Sequence, residues 1–174
     1  VNTRTRKRLA NLVAGVLLTD AAAHLYWTTG RTWPAHDVRA LSLAVLNMEV
    51  PFTPPVLIPL VAALTTGAAA VVARSRGRGG RLASLVTLAV GCGVLLRGAA
   101  GLVWAFGIGA DTGMPFYWLN LFLYTPACLV MPAAVVAVQA GDPATTVFGG
   151  RLMPALVFGR PRPEPAGTRG FTSL

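Results

Sequence analysis

Apolar residues along the chain gather into four long blocks, separated by short stretches rich in arginine, glycine, proline and tryptophan. Each block is about 20 residues long, the length a helix needs to cross a hydrocarbon core of about 30 Å. The pattern predicts spans over residues 9–28, 56–73, 82–106 and 116–138. They make one membrane domain, 9–138, between a basic head, 1–8, and a tail, 139–174, whose Pro, Gly and Arg content predicts disorder over most of its length. A short interfacial piece from Leu152 to Phe158 is the one element expected in that tail. The fold class is all-α, an integral membrane four-helix bundle.

The connections add detail. Between the first two blocks, Val38 to Met48 is apolar but too short to cross, which predicts a short interfacial helix in the first outer loop. Pro51, Pro54 and Pro55 suit the entry or first turn of the second span, where a missing amide hydrogen costs nothing. Pro59, Pro126 and Pro132 lie further inside their spans and predict bends. Arg74 to Arg81, RSRGRGGR, reads as a solvated loop; its glycines lack the preceding strand and the Walker-type lysine of a phosphate cradle. The first block opens like a secretory signal, with Ala21-Ala22-Ala23 resembling a cleavage site, but apolar character resumes at Leu25-Tyr26-Trp27 and favours a retained span.

Composition agrees with the pattern. Of 174 residues, 54% are hydrophobic and 12% charged, with mean hydropathy +0.60, against about a quarter charged in soluble domains. A net charge of +9 would raise nucleic acid as a partner in a soluble protein. Here 12 of the 15 basic residues fall in the head, the middle loop and the tail, with no aromatic residues interleaved. The positive-inside rule therefore puts both termini and the middle loop in the cytoplasm, at a cytoplasmic (inner) membrane, with the lipid bilayer as partner and no nucleic acid. Cys92 and Cys128 lie inside spans without a Cys-x-x-Cys, which predicts buried inert thiols. No cofactor or metal motif is present.

The candidate chemistry starts from Thr19 to Pro34, TDAAAHLYWTTGRTWP. Asp20 and His24 stand one helical turn apart in a span, where ionisable groups are expensive and by default functional. Counting 1.5 Å per residue from the span starts puts His24 and Arg97 at one level, roughly 22 Å along. Asn120 and Tyr124 descend from the other side to the same layer, with Glu49 and the tryptophans, Trp27 and Trp33 among them, as a lid. The polar cluster is therefore Asp20, His24, Trp27, Trp33, Glu49, Arg97, Asn120 and Tyr124. Arg97 lies on a four-residue stripe with Ala89, Gly93 and Gly101 and is expected to point into the bundle, paired with Asp20.

Three patches resemble a known family. His24-Leu25-Tyr26-Trp27 with Gly30 and Trp33-Pro34, Leu95-Leu96-Arg97-Gly98 with Gly101, and Leu123-Tyr124-Thr125-Pro126-Ala127-Cys128-Leu129 are similar, in that order, to the signatures of the small four-helix bacterial membrane proteins catalogued as domain of unknown function 3995. Asn120 stands where that family usually carries an aspartate, and the charged insert it often has before the last span is absent here. The resemblance implies a fold and a membrane location and no activity.

Two readings of the cluster follow, a set of polar contacts holding helices together or a pocket in the outer half of the bilayer. The number of different polar groups converging on one layer favours the pocket. It would bind a lipophilic small molecule or another membrane protein. The alternative is a membrane enzyme, an isomerase, cyclase or hydrolase of a lipid or isoprenoid, with His24 or Glu49 as base and Tyr124 as acid. A third is a proton-linked exporter subunit using Asp20. The residues leave open whether the chain is catalytic.

Overall fold

The computed structural model describes residues 1–140, and the tail and its piece at Leu152 to Phe158 lie outside them. Helix α1, Thr3–Trp27, starts six residues before the expected span because Asn2 caps it, its side chain accepting from the Thr5 amide at 2.8 Å. The basic head is thereby helical. After a loop, α2, Val38–Leu46, is capped by Asp37 and ends at Asn47 in the left-handed conformation. Helix α3, Pro54–Ser75, carries Pro54 and Pro55 in its first turn and Pro59 inside. Helix α4, Gly80–Ala105, follows a tight loop.

The last span, Pro115–Ala140, is built in three parts. A turn of α-helix, α5, Pro115–Leu119, passes into a π-helical turn at Asn120–Tyr124 and then α6, Thr125–Ala140. The wide turn sits just before Pro126, whose ring in a regular helix would crowd the carbonyl of Phe122. One extra residue in the turn moves that carbonyl aside. Gln139 and Ala140, expected in the tail, close α6, and Gln139 is buried.

Among the described residues the fold is all-helical, with four helices long and apolar enough to cross a membrane. Ala10, Val13, Ala14 and Leu17 of α1 pack with Ala68 and Val71 of α3 and Met131, Val135 and Val138 of α6. A second, smaller core joins Leu41, Phe52 and Leu57 beneath Trp27. Only 22 to 33% of each span's apolar window is buried inside the molecule. The remainder, including Phe122, Leu96 and Val130 at about 70% exposure, needs hydrocarbon around it, as in a membrane protein.

Packing runs around a square. Helix α1 lies on α3 and α6, and α4 lies on α3 and α6, so α1 and α4 occupy opposite corners. One end of the bundle carries Arg6, Arg74 and the loop to Arg81; the other carries Trp27, Trp33, Trp104 and Trp118.

The stripe Ala89, Gly93, Arg97, Gly101 does not face inward along its length. Four residues turn a helix by about 400°, so each step drifts about 40°. Ala89 and Gly93 accordingly lie on the outside, Arg97 is half-buried, and Gly101 is buried. Cys92 is exposed on that outward face and Cys128 is half-buried, so neither is a buried core thiol as expected.

Candidate functional site

The expected cluster divides between two corners of the tryptophan end. On α1, the stripe Arg6, Ala10, Val13, Leu17, Ala21, His24 faces inward at helical spacing and buries the imidazole. His24 Nδ1 lies 2.9 Å from the Asp20 carbonyl oxygen and 3.3 Å from its carboxylate Oδ1. Two acceptors there hold the proton on Nδ1 and leave Nε2 with the lone pair in the neutral ring. The ring meets Trp27 edge-on at 5.0 Å, and Trp27 meets Phe52 at 5.6 Å. Trp27 Nε1 donates to the Trp33 carbonyl at 3.1 Å, tying the loop back to α1.

Beside this chain of rings a groove of about 600 Å³ opens between Ala23, Tyr26, Trp27, Trp33 and Pro34. Trp33 is 75% exposed along it. The Asp20 side chain is 52% exposed even though it sits in a span.

The second corner is built on α4 and the π-helical turn. Asn120 is fully buried; its Nδ2 donates to the Gly101 carbonyl at 2.8 Å, and its Oδ1 accepts from Arg97 Nη1 and from Thr125 Oγ1, both at 3.1 Å. The Arg97 guanidinium lies over the Trp104 ring at 4.9 Å and the Tyr124 ring at 5.5 Å, so π-faces and an amide oxygen supply its electron density. Tyr117 donates to the Ala105 carbonyl at 3.2 Å and closes the corner.

The expected Asp20 to Arg97 ion pair is not formed. Their helices are diagonal neighbours across the bundle, and each side chain finds partners at its own corner. Glu49 is not a lid over the cluster; it is exposed and bound to Arg39 Nε at 2.7 Å. No hydrogen bond, ion pair or ring contact joins His24, Glu49 and Tyr124 to one another among the described residues.

A third polar group lies at the arginine end, where the sequence predicts solvated basic residues. Arg6 is buried and donates to the Ser75 carbonyl at 2.8 Å. Arg74 donates to Gln139 Oε1 at 2.7 Å, and Gln139 Nε2 donates to the Ser84 carbonyl at 2.8 Å. These contacts bind α1 to α3 and both α3 and α4 to α6. The sequence carries a signal for Arg6, since the buried stripe of α1 extends backwards to it at the same spacing.

Neither a curated protein nor a solved structure matches the chain. The family model described as Protein of unknown function (DUF3995) matches residues 17–137. That stretch runs from the middle of α1 almost to the end of α6 and includes both corners of the tryptophan end, so the chain belongs to the DUF3995 family.

Proposed function

We propose that this is a polytopic protein of the cytoplasmic membrane that holds a lipophilic molecule, or the span of a partner membrane protein, at its tryptophan end. In this reading the arginine end, with residues 74–81, faces the cytoplasm, and the tryptophans lie in the outer leaflet. The groove between Ala23, Tyr26, Trp27, Trp33 and Pro34 carries the proposal. Its walls are largely aromatic, its Trp27 wall packs edge-on against the buried His24 imidazole, and the Asp20 carboxylate that holds that imidazole is half-exposed. A carboxylate used only to hold helices together would be consumed in a contact between helices, whereas Asp20 is bound to its own helix.

The test is what travels with the protein. Lipid-soluble extracts of the purified protein and of Trp33→Ala and Tyr26→Ala variants, both at exposed positions, are compared by mass spectrometry. A lipophilic species enriched in the parent relative to bulk membrane lipid and lost from both variants supports the reading. Equal profiles from all three proteins, together with no partner crosslinked through the groove in intact membranes, sink it.

One observation favours a catalytic version of the same corner. The Asp20 carboxylate and carbonyl orient His24 through Nδ1, leaving Nε2 able to accept a proton, which is the arrangement a general base requires. His24→Gln would then preserve the fold and the bound species while abolishing its conversion. A parent protein that returns the bound species chemically unchanged excludes this version.

A further inference from the structure

At the other end of the bundle a second groove, of about 410 Å³, runs between α1 and α3. Its walls are apolar and mostly small: Ala14 and Leu18 on one side, Ala69 and Val72 on the other, with Arg76 and Arg78 at its mouth. From Thr65, its deepest lining residue on α3, to Arg76 is 11 residues. That is roughly 16 Å of helix, about half of a 30 Å hydrocarbon core. The groove therefore has the depth of one leaflet.

The mouth is held in shape by the way α3 ends. The Arg78 amide donates to the Ala73 carbonyl at 2.9 Å and the Gly77 amide to the Arg74 carbonyl at 3.0 Å, with Gly77 at φ +69°. This is a Schellman closure, and it needs the left-handed conformation that glycine adopts without strain. It folds Arg78 back over the helix end beside Arg76. Both side chains are exposed, and neither has an ion pair or side-chain hydrogen bond among the described residues. The described carboxylates give no help, because Asp37, Glu49 and Asp111 lie in the loops of the opposite end and Asp20 is bound to His24. Four basic residues in 4–8 and four in 74–81 share this end.

We infer that this groove is a binding site for an anionic phospholipid of the adjoining leaflet, one acyl chain lying between α1 and α3 and the phosphate bridging Arg76 and Arg78. A zwitterionic lipid offers the same chain without the net charge that two guanidiniums unpaired among the described residues select. The site is separate from the aromatic groove and stands or falls independently of it.

The protein in nanodiscs of mixed phosphatidylglycerol and phosphatidylcholine with identical chains, released into a native mass spectrometer, reads the lipids it retains. Preferential retention of phosphatidylglycerol is expected. An Arg76→Gln, Arg78→Gln double variant should lose at least about fivefold of that preference. Ala69→Trp, at an exposed wall position, fills the groove without changing charge and should reduce retention as well. The charge-matched control is Arg4→Gln with Arg8→Gln, two exposed residues outside the groove, which should leave the preference nearly intact. Equal retention of the two lipids overturns the proposal. So does a control variant that loses as much as the groove variant, because attraction would then be diffuse, and so does an Ala69→Trp protein that retains lipid like the parent. Thermal unfolding of each variant in detergent shows that the fold is retained.

Discussion

Asn120 is the residue on which the polar order of the α4 corner depends. Its amide carries three hydrogen bonds at once: to the Gly101 carbonyl, from Arg97 and from Thr125. An amide is suited to this because it presents a donor to the backbone oxygen and an acceptor to the guanidinium, whereas a carboxylate would turn a lone pair toward the carbonyl. Asn120→Leu should therefore cost about 2 kcal/mol, two contacts to α4 and one within the last span at about 0.6 kcal/mol each, read as a shift in detergent-induced unfolding. Arg97→Met should cost less, about 1 kcal/mol, because Asn120 keeps its other two partners and the cation–π contacts are the main loss. An Asn120→Leu protein as stable as the parent would show that the corner contributes nothing to holding the helices. The four-residue spacing of Asn120 and Tyr124 makes their common corner legible in the sequence. Their partner Arg97 is legible as a residue but not as a pairing.

Helix α4 shows why. Its small residues are real contacts where they face α6: a Cβ on Gly101 would overlap Thr125 Oγ1, and one on Gly98 would press the Cys128 carbonyl at 3.2 Å. At Gly93 the same addition meets nothing within 4 Å. Gly101→Leu should thus destabilise by more than about 2 kcal/mol, while Gly93→Leu stays within about 0.5 kcal/mol. Equal unfolding midpoints for the two variants would contradict the packing. A four-residue stripe read from sequence treats both glycines alike, since the 40° drift per step shows only when the helix is laid against its neighbours. The spans themselves are legible to within two or three residues at most ends, because hydrophobic length is set by the membrane. The exception is the start of α1, where the cap at Asn2 and the burial of Arg6 extend the helix through a basic run that composition assigns to water.

At the scale of the whole molecule, height and neighbourhood separate. Counting residues gives the level of each polar group, but which helices touch is decided by side-chain fit around the square, and no periodicity along one stretch of sequence encodes it. His24 and Arg97 are counted to one level yet stand on α1 and α4, at opposite corners. The charge asymmetry between the two ends yields a topology that can be checked. In a Cys92→Ser, Cys128→Ser background, Thr32→Cys should react with an impermeant maleimide on intact cells, and Arg78→Cys only after the membrane is opened. The reverse labelling would invert the orientation. Finally, α1 packs most extensively on α3, and α4 on α6. The chain is in effect two helical hairpins in series, joined at the Gly77–Gly80 connection. Severed between Gly79 and Gly80 and expressed as two polypeptides, the halves should insert separately and reassemble, with the Arg74 to Gln139 bond as the clasp between them.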